Sequence, residues 1–168
     1  NINMPEGPEV WILSIAINNY YEKMGYESNH LTYSYGKHLL VRSLNENWSF
    51  GLTGRVDIGD DNVLRKVNSG YLFGDTVKNS NYSEMVRVLG LNWMTAGYDV
   101  LQTEINSWAK SRKALGGLLL DQTKISGIGV AWGSEMLFMA NLRPDIKACD
   151  QDLTNLANIM IELREDVQ

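Results

Sequence analysis

The spacing of hydrophobic residues near the start of the chain predicts an α-helix. Apolar residues recur at helical intervals from Val10 to Ile17. Gly7-Pro8 precedes them, and proline is favoured in the first turn of a helix, where no backbone donor is lost. Gly25 can end the segment. We therefore predict a helix that runs to about Met24.

From His30 to Val77 the pattern changes to short β-prone runs between turn residues. The candidate strands contain Leu39-Leu40-Val41, Trp48-Ser49-Phe50 and Val63-Leu64. The candidate turns are Asn45-Glu46-Asn47, Gly59-Asp60-Asp61-Asn62 and Asn68-Ser69-Gly70. Several short strands in under fifty residues indicate a small β-sandwich or a curled sheet.

After a polar segment at residues 78–98, which is expected to cross between two lobes, the chain has helical periodicity. Helices are predicted at residues 100–110, 112–120, 131–140 and 150–164. Asp99 and Gln102 have the spacing of a capping box for the first of them. The last carries an apolar stripe that predicts a core face, formed by Leu153, Leu156, Ile159, Met160 and Leu163. The fold class is therefore α+β, with a helix and a small β-sandwich lobe followed by an all-helical lobe.

Composition restricts the class of protein. The single cysteine, Cys149, excludes an internal disulfide and a four-cysteine zinc site. No apolar run is long enough to span a membrane, and no signal peptide opens the sequence. We expect an intracellular protein, in the cytoplasm and nucleoid or in the nucleus, that is neither secreted nor bound to a membrane.

The net charge argues against a polyanionic partner unless basic residues are concentrated locally. The formal charge is −5 and the isoelectric point is about 5.0. Lys110, Arg112 and Lys113 form the best candidate patch, with Lys124 nearby in sequence. The alternative is that these lysines and arginine form only the solvated end of a helix.

Three motifs, in order, carry a resemblance to a known family. The first is Met4-Pro5-Glu6-Gly7-Pro8-Glu9-Val10. The second is Gly36-Lys37-His38-Leu39-Leu40 followed by Gly51-Leu52-Thr53-Gly54-Arg55, and the third is Leu118-Leu119-Leu120-Asp121-Gln122, Gly127-Ile128-Gly129, Glu135-Met136-Leu137-Phe138 and Pro144. Together they resemble the formamidopyrimidine-DNA glycosylase/endonuclease VIII family, whose members excise oxidised bases. The resemblance implies a shortened glycosylase-like β-sandwich lobe at residues 1–90 and a helix–two-turns–helix DNA-binding lobe at residues 91–168.

The resemblance also implies catalytic roles. Pro5 would be the nucleophile whose secondary amine forms a Schiff base at the sugar, and Glu6 would transfer protons there. Lys37 would contact a phosphate and lower the pKa of the amine. The alternative is structural: Pro5 and Pro8 shape the entry to a helix, and Lys37 is a surface residue of a strand.

For DNA binding, the resemblance points to the turn that contains Gly127 and Gly129, where backbone amides and a helix N-terminus can approach a phosphate. Lys124 and Lys113 could add phosphate contacts. Leu52 and Phe73 would enter the duplex beside a flipped base, with Leu72 next to Phe73. Leu52 and Phe73 could equally be core residues.

Four departures from the family pattern affect these expectations. Residues 1–4 precede Pro5, and the nitrogen of an internal proline is a tertiary amide with no lone pair free to attack. Val130 stands where the family places a phosphate-binding asparagine, and Tyr71-Leu72 replaces a pair of arginines. The sequence ends without a C-terminal zinc finger, so we expect a zincless protein with no metal and no cofactor.

Three functions stay open at this point. The first is a DNA glycosylase/AP lyase that acts on oxidised bases in double-stranded DNA. The second is a catalytically inactive relative that binds DNA. The third is a structural or interaction subunit of a larger assembly with a protein partner. The sequence does not decide whether the chain is an enzyme.

Overall fold

The fold was analysed in a computed structural model, which describes residues 5–25, 31–42, 47–51, 53–58, 64–71, 77–79 and 86–168. The chain forms two compact units, residues 1–88 and residues 89–168. Helices and antiparallel strands occupy separate stretches of the sequence rather than alternating. The predicted α+β class is confirmed.

The first unit opens with helix α1, Gly7–Lys23. A proline lies in its first turn, and Gly25 follows its end with a φ of +77°. The side chains of Val10 and Leu13 are buried and pack with Leu39 of the sheet. The hydrophobic spacing thus predicted the helix correctly, because this apolar face is the one that packs against the strands.

Within the described residues of the first unit, six strands follow α1. They are β1 (Leu31–Tyr35), β2 (His38–Arg42), β3 (Asn47–Gly51), β4 (Thr53–Ile58), β5 (Leu64–Tyr71) and β6 (Val77–Asn79). An antiparallel sheet has the order β1-β2-β3-β6, and β4 pairs with β5 in a separate antiparallel pair. Helix α1 contacts strands of both groups.

One predicted turn in this unit is wrong. Asn68-Ser69-Gly70 lies inside β5, and Asn68 pairs with Arg55 of β4. The pairing shifts register between Thr53 and Arg55, so the strand continues through turn-forming residues by means of an irregularity in the ladder. The turns predicted at residues 45–46 and 59–62, and Val63, lie outside the described residues.

The outer edge of β1 is tied to α1 by one side chain. Asn18 Nδ2 donates to the carbonyl of Thr32 (3.0 Å), and Asn18 Oδ1 accepts from the Thr32 backbone N–H (3.0 Å). The Thr32 hydroxyl has one hydrogen to donate, and it lies within hydrogen-bonding distance of two acceptors, Asn18 Oδ1 (2.7 Å) and the carbonyl of Ser14 (2.8 Å). These bonds fix the helix on the edge strand.

The second unit is mainly helical. Its elements are β7 (Leu91–Asn92), α2 (Tyr98–Asn106), α3 (Leu115–Leu119), β8 (Ile125–Ser126), α4 (Val130–Met139), a 3-10 turn (Ala148–Asp150) and α5 (Leu156–Val167). Strands β7 and β8 pair in parallel. All five residues of the predicted apolar stripe are buried, although Leu153 lies before the start of α5.

Trp93 and Arg164 connect the elements of this unit. The indole N–H of Trp93 donates to the carbonyl of Met160 (3.0 Å), and its ring meets Trp132 edge-to-face at 5.6 Å. Arg164 donates to the carbonyls of Trp93 (2.7 Å) and Ala96 (2.5 Å). Burial lowers the pKa of the Arg164 guanidinium. Helix α5 therefore holds the 93–96 loop through donors that satisfy its carbonyls.

Three helix boundaries differ from prediction. Gly97 is the N-cap of α2, so Asp99 lies inside the helix and the predicted capping box does not form. The helix predicted at residues 112–120 covers only Leu115–Leu119. The segment before it is not helical because its backbone pairs with the segment around Lys147. There, Ala148 N donates to the Lys113 carbonyl (2.9 Å). The last helix begins at Leu156, after the 3-10 turn, rather than at residue 150.

Candidate functional site

Pro5 and Glu6 are both buried immediately ahead of α1. Glu6 is only 7% exposed, and its main-chain carbonyl accepts from Val10 N (3.0 Å). Glu6 is the N-cap residue in extended conformation, yet its carboxylate does not cap the helix. The backbone of Glu6 thus starts the helix, and its carboxylate makes no capping hydrogen bond.

Lys37 lies in the two-residue turn between β1 and β2, not within a strand as the alternative interpretation expected. Gly36 before it has a φ of +56°, a left-handed conformation that favours glycine. Leu39 and Leu40 after it are buried and anchor the hairpin, while Lys37 is half-buried at its tip. Next to it, burial lowers the pKa of the His38 imidazole.

In the second unit, a loop rich in hydrogen bonds joins α3 to α4. Asp121 begins it: its Oδ1 accepts from the Thr123 N–H (3.0 Å) and hydroxyl (2.6 Å). The Asp121 carbonyl accepts from Lys124 N (3.0 Å). The loop then enters β8, which lies beside β7.

The turn after β8 is held by a single glutamine side chain. Gln122 Nε2 donates to the carbonyls of Leu120 (2.9 Å) and Ile128 (2.8 Å), and Gln122 Oε1 accepts from Gly127 N (2.9 Å). Gly127 has a φ of +105° and is buried, as is Gly129, the N-cap of α4. The positive φ at residue 127 requires glycine.

Lys124 and Lys113 converge on one carboxylate. Hydrogen bonds from Thr123 lower the pKa of Asp121, and the charges of Lys124 and Lys113 lower it further. Lys124 Nζ lies 3.9 Å from Asp121 Oδ2, and both side chains are partly exposed. The structure therefore pairs one predicted DNA-binding lysine, Lys124, with a carboxylate that partly offsets its charge.

One further basic residue near this group was not predicted from the sequence. Lys147 forms an isolated antiparallel bridge with Ala114, next to Lys113, and its side chain is exposed. Since Lys147 and Lys113 are far apart in sequence, no local pattern could indicate this proximity. Arg143, in the same segment, is already paired with Asp145 at 3.1 Å.

The exposed side of α4 is apolar at both ends. Val130, the first residue of the helix, is 72% exposed, and Phe138 is 81% exposed. No acidic residue lies in the first turn, and no side chain caps the Gly129 position. The helix end thus presents its positive dipole end without a carboxylate of its own.

The positions predicted to enter the duplex lie in parts of the chain that the structure does not describe. Leu52 and Phe73, like Leu72, lie outside the described residues. Within the described ranges, no group of three or more His, Cys, Asp or Glu side chains could hold a metal ion. In that same part of the chain, no helix is both long and apolar enough to cross a membrane.

Comparison with solved structures defines the fold class. The chain has the fold of formamidopyrimidine-DNA glycosylases. A mutant of Lactococcus lactis Fpg in complex with Fapy-dG-containing DNA matches 96% of this chain and 78% of its own, with 17% identity and a TM-score of 0.67. MutM in complex with DNA containing carbocyclic 8-oxo-G matches 96% of this chain and 80% of its own, with 18% identity and a TM-score of 0.66.

A third structure, the MutM (Fpg) protein from Thermus thermophilus, matches 82% of this chain with 22% identity and a TM-score of 0.57. The match covers 57% of the Thermus protein, so this chain spans a little over half of that relative. No protein-family model and no curated protein matches the chain by sequence. The likeness to these Fpg and MutM structures is therefore one of fold alone.

Proposed function

We propose that this protein acts on double-stranded DNA as a base-excision glycosylase with AP lyase activity toward oxidised bases. The observation that supports the proposal is the glycosylase fold, which covers 96% of the chain in comparison with two DNA complexes. The three motifs that resemble the family occur in this sequence in the family's order. Pro5 and Glu6 are its candidate catalytic residues, and Lys37 is the candidate phosphate contact.

The proposed chemistry uses a free secondary amine at Pro5. Its nitrogen lone pair attacks C1′ of the damaged nucleotide, the base leaves with the electrons of the glycosidic bond, and the nitrogen loses its proton. The C1′–O4′ bond then breaks, O4′ takes up a proton, and the open-chain sugar is left as an iminium ion on the Pro5 nitrogen. Glu6 transfers protons at the sugar, and loss of a proton from C2′ then expels the 3′ phosphate. The ammonium of Lys37 contacts a backbone phosphate. This route requires Pro5 to be the first residue of the chain.

DNA binding in this proposal uses the second unit as a helix–two-turns–helix element. The turn at Gly127–Gly129 and the N-terminus of α4 receive a backbone phosphate, and Lys113 and Lys124 add positive charge beside it. Leu52 and Phe73 are the proposed residues that fill the space left by a flipped base. The protein's net charge of −5 means that such binding depends on these local cations.

Borohydride trapping on a duplex with one abasic site tests the catalytic proposal. Two chains are compared, one that begins at Pro5 and one that keeps residues 1–4. Borohydride reduces the iminium ion to a stable amine, so a covalent adduct is expected only from the chain that begins at Pro5. The same chain with Lys37→Ala should give less adduct. A chain that begins at Pro5, binds the duplex and yields no adduct would refute the lyase proposal.

Two observations favour a second function, that of an inactive relative of the glycosylases. Val130 is exposed at the start of α4 and offers no hydrogen bond to a phosphate, and Asp121 pairs with Lys124. Both weaken a DNA contact and would suit an inactive relative that binds DNA or joins a larger assembly. Duplex binding without an adduct supports the DNA-binding role; absence of both supports a structural or interaction role with a protein partner.

A further inference from the structure

Gln122 connects the end of α3 to the start of α4 through its side-chain amide. Nε2 donates one hydrogen to the carbonyl of Leu120, the C-cap residue of α3, and the other to the carbonyl of Ile128. Oε1 accepts from Gly127 N. Only this orientation of the amide places donors against both carbonyls and an acceptor against the N–H, so all three groups are satisfied together.

The main chain of Gln122 contributes a further connection. Its carbonyl accepts from Gly90 N at 2.8 Å, just before β7. One residue therefore holds β7, the end of α3 and the turn before α4. Gly127 has no side chain of its own and adopts a φ of +105°. Without the amide, the buried N–H of Gly127 loses the acceptor that fixes its direction.

We infer that Gln122 is a positioning residue, whose amide sets the backbone of residues 127–129 so that this turn can hold one DNA phosphate. The inference rests on the DNA binding proposed above. It adds a specific dependence: the turn binds a phosphate only while Gln122 holds Gly127 and Ile128. Gln122 does not itself contact DNA in this arrangement.

A second glutamine offers a matched control. Gln151 Nε2 donates to the carbonyls of Arg143 (2.9 Å) and Ile146 (3.0 Å), and Gln151 Oε1 accepts from Arg143 N (2.7 Å). The chemistry is the same as at Gln122, with two donated bonds and one accepted bond. It stabilises a different loop, so Gln122→Met and Gln151→Met remove equivalent bonds at two places in one unit.

The experiment is a methylphosphonate scan of a duplex that the protein binds. Each duplex carries one uncharged methylphosphonate in place of a phosphate, and its affinity is compared with that of the unmodified duplex. In the unsubstituted protein, at least one replacement should weaken binding on the order of tenfold, as expected for loss of a charged hydrogen-bond partner. One such penalty, at the phosphate that residues 127–129 hold, should disappear in Gln122→Met and persist in Gln151→Met. Penalties at other phosphates, such as the one that Lys37 contacts, should persist in both variants.

This readout separates positioning from folding, because partial unfolding lowers the affinity for every duplex equally and leaves the penalty unchanged. Gln122→Glu is the second variant: it keeps an acceptor for Gly127 but places an acceptor against two carbonyls, and it should also lose the penalty. If every penalty seen in the unsubstituted protein persists in both Gln122 variants, or if no replacement carries a penalty, the inference is wrong while DNA binding stands. If the unsubstituted protein does not bind any duplex, the proposed function is wrong, and the inference about Gln122 is wrong with it.

Discussion

Two adjacent glycines in α3 should respond in opposite ways to the same substitution. A Cβ atom at Gly116 would lie 2.9 Å from Pro144 Cβ and 3.1 Å from the Pro144 carbonyl oxygen, whereas a Cβ at Gly117 would meet nothing within 4 Å. Gly116 N also donates to that carbonyl (3.0 Å), which holds α3 against the 144–149 segment. Gly116→Ala should therefore destabilise the protein, and Gly117→Ala should stabilise it.

Comparing Gly116→Ala with Gly117→Ala isolates the free-energy cost of the contact between the new methyl group and Pro144. Alanine is favoured over glycine within a helix by up to about 1 kcal/mol, and this gain is common to both positions. Forcing a methyl group into a filled space typically costs about 1–3 kcal/mol. The difference in the free energy of unfolding between Gly117→Ala and Gly116→Ala should therefore be about 1–3 kcal/mol, because the helix-propensity contribution cancels.

Urea unfolding followed by tryptophan fluorescence measures this difference, since Trp93, Trp108 and Trp132 all lie in the second unit. With a slope of about 2 kcal/mol per molar urea, the two midpoints should differ by roughly 0.5–1.5 M. The slopes themselves should agree, which shows that only stability has changed. Equal midpoints, or a lower midpoint for Gly117→Ala, would refute the packing of α3 against Pro144.

Three further predictions concern charge and DNA binding. Asp121→Asn should tighten duplex binding about 2- to 5-fold at low salt, because Lys124 loses its carboxylate partner; fluorescence anisotropy measures this, and weaker binding would contradict it. Val130→Asn should also tighten binding by supplying a hydrogen bond at the start of α4, while Ser134→Asn, one turn along, should have no effect; equal effects would remove α4 from the interface. Because burial lowers the pKa of His38, the folded state binds fewer protons than the unfolded state, so stability should fall as the pH drops below about 6.5. Urea midpoints at about pH 7.5 and 5.5 test this, and His38→Gln should lose less stability than the unsubstituted protein.

The sequence predicted those parts of the fold that depend on local periodicity. Helix α1 and the apolar stripe of α5 were predicted because their buried residues repeat at helical spacing. Strand β2 was predicted because Leu39-Leu40-Val41 is a short β-prone run between turn residues. The Gly127–Gly129 turn could be located for a similar reason, since glycine marks it directly. Hydrophobic spacing and glycine positions therefore predicted an element correctly where its structure depends on residues close together in sequence.

The errors lie where distant residues decide the structure. Helix α3 is shorter than predicted because Lys113 and Leu115 bond to residues near Ile146. Asn68-Ser69-Gly70 continues strand β5 because this strand pairs with β4, with Asn68 opposite Arg55. The Gln122 bonds to Gly127 and the pairing of Lys124 with Asp121 likewise depend on side-chain orientation, which a spacing pattern does not contain.

The side chain of Asn18 has a consequence for how this protein behaves at high concentration. An outermost strand normally exposes a row of backbone donors and acceptors that a strand from another molecule can pair with. At Thr32 both groups are already occupied by Asn18. Asn18 thus removes one donor and one acceptor from this edge of the sheet, and we expect Asn18→Ala to increase self-association through β1.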